Sequence, residues 1–181
     1  YVIHAAVRCV RMSESDPHGV FTVNANGTLT VGLRAAEIGA RFVYMSSSEV
    51  YGNLVEGPMS ETHYTYPNTI YGAGKLAGEA VIKSLNRQKG IAACIVRPFN
   101  AYGPESHVEG IRGEVIPRWI SAAIERQPFV VHGSIEAAKA RTRDFTFVTD
   151  TAKGVIAPLF TKMFPSGQTF NLCYRTEISL Y

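Results

Sequence analysis

The segment Tyr71-Gly-Ala-Gly-Lys75 holds the side-chain pair in this chain best suited to proton chemistry. Residues four apart share one face of a helix, so the phenol and the ammonium stand one turn from each other. A nearby cation favours the phenolate, and the spacing therefore predicts a Tyr71 pKa below the ordinary value of about 10. Such a group is a proton acceptor useful near neutral pH. An exposed helical tyrosine beside a solvated lysine has the same spacing. Gly72 and Gly74 argue against that plainer reading. Each costs roughly 1 kcal/mol relative to alanine inside a helix, which implies close approach by a backbone or a ligand.

Three further segments hold polar residues where strands end. Ser46-Ser47-Ser48-Glu49 follows an apolar run, and the carboxyl end of a strand is where open α/β sheets bind ligands. A serine there can hydrogen-bond the hydroxyl or carbonyl whose proton Tyr71 handles; a polar turn is the alternative. Arg97-Pro-Phe-Asn-Ala-Tyr-Gly-Pro104 follows another apolar run, with a Gly-Pro turn as its alternative. In Arg141-Thr-Arg-Asp-Phe-Thr-Phe147, Arg143 can grip a diphosphate with both arms of its guanidinium or pair with Asp144. His4, His18, His63, His107 and His132 lack ligand spacing, and Cys9, Cys94 and Cys173 are far apart and odd in number. We therefore expect no metal site and no disulfide, with Cys94 a small core residue.

The elements that must position these residues follow from periodicity. Apolar runs at 1–6, 41–46 and 91–97 suit buried parallel strands. Residues 20–38 read as a helix opened by Asp16-Pro17 and closed by Gly39, although Asn24, Asn26, Gly27 and Thr28 are poor helix formers that call for a reason. Residues 69–88 read as a second helix ending at Lys89-Gly90, after a long loop at 51–67. This alternation implies right-handed βαβ units with helices on both faces of a sheet. Beyond Pro98 the texture is mixed: helices near 115–126 and 149–164, the latter bent at Pro158, and short strands at 129–131, 143–148 and 169–172. The division expected is 1–100 and 101–181.

Net charge is +3 and scattered, with Lys139, Arg141 and Arg143 the nearest thing to a basic cluster. That is no nucleic-acid footprint. No apolar run is long enough for a bilayer, so the expected compartment is the reducing cytoplasm.

Taken in order, these segments resemble the extended short-chain dehydrogenase/reductase family, specifically its NAD-dependent nucleotide-sugar epimerases and dehydratases, of the UDP-glucose 4-epimerase kind. The resemblance is carried by Val2-Ile-His-Ala-Ala6, Asp16-Pro17, Asn24-Ala-Asn-Gly-Thr28, Ser46 through Gly52, Tyr71 through Lys75, Arg97 through Pro104, and Arg143-Asp-Phe. It implies a Rossmann-like doubly wound parallel sheet with a small mixed C-terminal substrate lobe. It also implies NAD as cofactor and a UDP- or dTDP-hexose as substrate, oxidised at C4 to a transient ketone. By the same resemblance Tyr71 would take the C4 hydroxyl proton, and Lys75 would bond the nicotinamide ribose. Ser47 aligns with the family's catalytic hydroxyl when Val50-Tyr51-Gly52 is the anchor, and Ser48 when the serine triplet is. Ala5, Ala6 and Val7 would line the cofactor crevice, with Asn24 near it and Phe99 beside the nicotinamide; Asn100 and Arg143 would contact the diphosphate.

The reaction expected is 4-epimerisation. A 4,6-dehydratase or UDP-glucuronate decarboxylase, with Glu49 as the C5 base, is the alternative, and a non-catalytic dinucleotide-binding relative is one of another class. The family's usual homodimer would use the helices around Tyr71 and at 20–38. The family's glycine-rich turn and the acidic residue that holds the adenosine ribose have no counterpart in this sequence. On that resemblance roughly seventy residues are expected upstream of Tyr1, judged from the usual size of βαβ units, and the substrate lobe is expected to continue past Tyr181.

Overall fold

The computed structural model describes residues 1–54, 57–106, 114–128 and 134–179. The three apolar runs become strands β1 (Val2–His4), β2 (Phe42–Met45) and β3 (Ala93–Pro98). Later in the chain come β4 (Ala101–Tyr102), β5 (Thr142–Asp144), β6 (Thr146–Phe147), β7 (Thr169–Leu172) and β8 (Glu177–Ser179). The helices are α1 (Pro17–Phe21), α2 (Gly27–Glu37), α3 (Ile70–Lys89), α4 (Val115–Ile124), α5 (Ile135–Ala140) and α6 (Val148–Ile156). Two units result: Tyr1–Pro98 with Ala152–Leu172, and Phe99–Thr151 with Cys173–Tyr181.

The first unit is built on one sheet, ordered β1-β2-β3-β7, with every pair parallel. Its strands are apolar throughout because both faces are covered. On one face Phe42, Tyr44, Ala93 and Ile95 pack against Ala35 of α2 and Ile82 and Leu85 of α3. On the other, Val43, Cys94 and Val96 meet Val155 and Leu159 from α6 and the 3₁₀ turn after it. This is the doubly wound parallel sheet that the alternation of elements implies.

The expected helix at 20–38 is three pieces. Asp16 caps α1 by accepting from the Gly19 amide at 3.0 Å, and residues Thr22–Asn26 form a π turn before α2. The reason is Asn24, whose side chain is fully buried. Its amide accepts from Arg8 N at 2.9 Å and donates to Arg8 O at 3.0 Å. A π turn carries one extra residue, here in the stretch whose helix propensity is poor. The helix at 69–88 is continuous: Thr69 accepts from Gly72 N at 3.0 Å, and Gly90, at φ 67°, ends it in the left-handed region that glycine adopts freely.

The run 149–164 becomes α6 followed by a 3₁₀ turn at Ala157–Phe160 that includes Pro158, which has no amide hydrogen to continue the α-helical ladder. No described helix is long and apolar enough to cross a membrane.

In the second unit the expected strand at 143–148 is two strands in two small sheets, β5 antiparallel to β8 and β6 parallel to β4. Asp144 breaks the run by accepting from Tyr174 N at 2.8 Å and Thr176 N at 3.0 Å. Tyr102 packs edge-on to Phe145 and Phe147. Residues 135–140, which exceed a tight turn, form α5. The expected strand at 129–131 lies outside the described residues.

Candidate functional site

Strand β2 continues its ladder one residue beyond Met45, with Ser46 N donating to Val96 O at 2.8 Å. The chain then turns sharply: Ser47 caps a 3₁₀ turn at Ser48–Val50, its hydroxyl accepting from Glu49 N at 3.2 Å. The first turn of α3 lies directly on this bend. A Cβ on Gly72 would stand 2.6 Å from Glu49 O and 2.9 Å from Pro67 Cβ. Further along α3, a Cβ on Gly74 would stand 3.0 Å from Asn24 Cβ, and one on Gly78 would run into the Tyr44 hydroxyl. The helical glycines thus record close packing against protein. Ser13 Oγ accepts the Tyr71 amide at 3.1 Å and fixes the start of the helix.

This packing sets the Ser47–Val50 turn against the first turn of α3, where Tyr71 stands. The electrostatics differ from the sequence expectation. Burial raises the Tyr71 pKa; the nearby Ser47 hydroxyl opposes that rise, and electrostatic repulsion from Glu49 and Cys9 adds to it. The reason lies in the Lys75 side chain, which is only 2% exposed. Its ammonium donates to Met45 O at 2.7 Å and sits 5.2 Å from the centre of the Tyr44 ring. Burial brings its pKa down to about 8. Lys75 shares the helix face with Tyr71 but spends its charge on the end of β2.

The other expected site residues fall in both units. Ala5, Ala6 and Val7 follow β1 and are exposed. Asn24 presents no group outward, since its amide is fully buried and holds the Arg8 backbone. Its role is to support the segment after β1. Glu49 is exposed and Ser48 half-buried. Phe99, Asn100 and Arg143 belong to the second unit. There Asn100, at φ 35°, donates from its amide to Asp144 O at 2.7 Å. Arg143 is exposed on β5 and donates to Thr142 O at 2.8 Å. The Arg143–Asp144 ion pair weighed from sequence is not formed among the described residues, because Asp144 Oδ1 and Oδ2 accept from Tyr174 N and Thr176 N.

One set of residues escaped sequence reasoning. Glu79, 1% exposed, sits on α3 one turn beyond Lys75. Arg97 at the end of β3 grips it twice, Nε to Oε1 at 2.8 Å and Nη2 to Oε2 at 2.6 Å. Ser46 Oγ adds a third bond, to Oε1 at 2.6 Å. Arg97 also donates to the Tyr51 hydroxyl at 2.7 Å, which donates to Asn171 Oδ1 at 2.7 Å. Burial alone would lower the Arg97 pKa, but the bonds and charge of Glu79 raise it, so the guanidinium keeps its charge. A signal existed: an arginine closing the run Ile91–Val96 must find a partner if the strand is buried.

A sequence profile described as the NAD dependent epimerase/dehydratase family matches residues 1–173. UDP-glucuronic acid decarboxylase 1 of Arabidopsis thaliana is 33% identical over 147 residues, covering 78% of this chain and 32% of the plant protein. Among solved structures, UDP-N-acetylglucosamine 4-epimerase from Methanobrevibacter ruminantium M1, in complex with UDP-N-acetylmuramic acid, superposes with a TM-score of 0.90 at 25% identity. That match covers 99% of this chain and 56% of the other. UDP-glucuronic acid 4-epimerase from Bacillus cereus, in complex with UDP-glucuronic acid and NAD, superposes with a TM-score of 0.86 at 28% identity, covering 98% of this chain and 55% of the other. The chain therefore spans about a third of the length of the curated relatives it matches and just over half that of these structures. With its Rossmann-like sheet, its Tyr71/Lys75 helix and a profile match over nearly its whole length, the chain belongs to the NAD dependent epimerase/dehydratase family.

Proposed function

We propose that the protein is an NAD-dependent nucleotide-sugar 4-epimerase in which Tyr71 is the base for the C4 hydroxyl. The observation that carries this reading is the first turn of α3, bearing Tyr71, seated on the Ser47–Val50 turn that ends β2, with the Lys75 ammonium one helical turn away on Met45 O. The residues present fit the nicotinamide half of a dinucleotide. Ala5, Ala6 and Val7 are small and exposed after β1, and Met45 O takes one of the three donors of the Lys75 ammonium. Bound there, NAD supplies the acceptor for the hydrogen leaving C4.

Tyr71 takes the hydroxyl proton, and Ser47 holds the same oxygen in line. Lys75 stands one turn below, with a pKa of about 8, so a modest change in its surroundings alters its charge near neutral pH. An epimerase then needs no further acid or base, because the ketone turns and the hydrogen returns to its other face. Asn100 and Arg143 are proposed to contact the diphosphate of a UDP- or dTDP-sugar. The 4-epimerase activities named for the Methanobrevibacter and Bacillus proteins support this reaction.

One observation favours a second reading. Glu49 is exposed on the turn after β2 that the first turn of α3 packs against, and a carboxylate on that turn suits proton exchange at C5. That is the need of a dehydratase or decarboxylase, and the Arabidopsis relative is named a UDP-glucuronic acid decarboxylase. Incubating the complete protein with UDP- and dTDP-hexoses and with UDP-glucuronate separates these outcomes by mass. Unchanged mass with a new C4 configuration supports the epimerase, loss of water a dehydratase, and loss of carbon dioxide a decarboxylase.

Glu49 also yields a pH prediction. Its charge raises the Tyr71 pKa, so Glu49→Gln is expected to move the acid limb of the kcat profile to lower pH. An unmoved limb means that the carboxylate does not act on Tyr71 during turnover.

Homodimerisation through α2 and α3 is part of the proposal. It is supported by half-buried Leu76, Ala77 and Val81 and exposed Ala80 on α3. Sedimentation of the complete protein at micromolar concentration is expected to give a dimer, and a monomer there refutes it.

A further inference from the structure

Ala5, Ala6 and Val7 are exposed, yet the residues that flank them are both tied to one point of the helix layer. On the carboxyl side, the Asn24 side chain holds the Arg8 backbone by its amide and its carbonyl. On the amino side stands His4, which ends β1 and is 4% exposed. Its Nε2 is 3.1 Å from Thr28 Oγ1, and Thr28 Oγ1 donates to Asn24 O at 2.7 Å. The two ties meet at Asn24, one through its side chain and one through its carbonyl. The proposed chemistry uses neither His4 nor Thr28.

The protons in this chain of bonds can be placed. A backbone carbonyl only accepts, so the single hydroxyl hydrogen of Thr28 goes to Asn24 O. Thr28 Oγ1 then offers His4 a lone pair, and the imidazole must donate from Nε2. Burial, with the charge of Lys75 adding to it, lowers the His4 pKa, so near neutral pH the ring is the uncharged Nε2–H tautomer. The imidazole is stacked on Tyr44, with ring centres 5.8 Å apart and 26° between planes. Lys75 Nζ lies 5.2 Å from the centre of that same Tyr44 ring.

We propose that His4 and Thr28 are positioning residues that hold the Ala5–Val7 segment in place for the nicotinamide half of a dinucleotide. Neither is a catalytic residue; both act through Asn24 and the backbone on either side of the segment. The inference rests on the reading that Ala5, Ala6 and Val7 face NAD, and deepens it by naming what fixes them. Histidine suits this place because its Nε2–H bond is directional. An aliphatic side chain could pack beside Phe42 and Tyr44 as the imidazole does, but would not tie β1 to α2.

Thr28→Val keeps the shape of the side chain and removes its hydroxyl, whereas Thr28→Ser keeps the hydroxyl. Calorimetric titration of NAD into the complete protein, freed of bound dinucleotide, is expected to give a Kd raised about tenfold in Thr28→Val. Thr28→Ser should stay within roughly twofold of wild type. Exchange of the Arg8 amide hydrogen, which Asn24 Oδ1 accepts at 2.9 Å, should quicken by about the same tenfold in Thr28→Val, while the amides of β2 and β3 keep their rates. In ¹⁵N-labelled wild-type protein, long-range ¹H–¹⁵N spectra should show His4 protonated on Nε2, its signal assigned by its loss in His4→Asn. A wild-type Kd in Thr28→Val overturns the proposal. So does protonation of His4 on Nδ1, or equal quickening of all these amides, which marks a bond that serves stability alone. Wild-type protein that binds no NAD sinks the proposed function instead, while Arg8 exchange and the His4 tautomer still decide whether the segment is held as described.

Discussion

Tyr71→Phe is expected to lower kcat of the complete protein by about 10³- to 10⁴-fold, at the upper end of what a positioned proton acceptor contributes. The ring stays, so the packing of the first turn of α3 against Glu49 and Pro67 is kept. The Lys75 ammonium is unaffected, because it is anchored to Met45 O independently of Tyr71. What is lost is the phenolic oxygen proposed to accept the C4 proton. Because a group engaged mainly in the transition state is removed, KM should stay within roughly threefold while kcat falls. Product formation from the sugar nucleotide identified by mass is the readout. A variant retaining more than about a tenth of wild-type kcat removes Tyr71 from the chemistry, and with it the assignment of Ser47.

Arg97→Met is expected to destabilise the protein by about 3–5 kcal/mol, because it strands a buried carboxylate. Glu79 has only 1% of its surface exposed, and without Arg97 its remaining partners are the Ser46 hydroxyl and a half-exposed Lys83 at 3.6 Å. The Tyr51 hydroxyl loses its donor as well. Replacing both members, as Glu79→Met/Arg97→Met, removes the unpaired charge, and such a swap is often close to neutral. The double variant is therefore expected to recover most of the stability that the single one loses, in urea melts of the complete protein. Equal loss in both would mean that shape, and not charge pairing, makes this part of the core demanding.

The parts of this chain legible without coordinates are those that depend on neighbours along the sequence. Strands β2 and β3 follow from uninterrupted apolar runs, and α3 from a stretch bounded by Thr69 and Gly90, which do cap it. The spacing of Tyr71 and Lys75 requires a shared helical face in any fold that keeps the helix. The weak propensity around Asn24 was visible too, though not its consequence, since a π turn depends on a side chain reaching sixteen residues back to Arg8. The expected strand at 143–148 divides for a similar reason: Asp144 is engaged by Tyr174 and Thr176, 30 and 32 residues further on.

Sequence alone determined the order of motifs, the parallel βαβ framework and the placing of a phenol and an ammonium on one helix. Only the tertiary structure decided which way their proton affinities move. Spacing along a helix says that Lys75 is near Tyr71, but burial raises the Tyr71 pKa, and the Lys75 ammonium donates to the Met45 carbonyl. The Glu79–Arg97 pair belongs to the same category, joining residues from a helix and a strand that meet only in the folded core. Periodicity is a property of the local backbone, whereas desolvation and charge pairing depend on what the fold brings within a few ångströms through space.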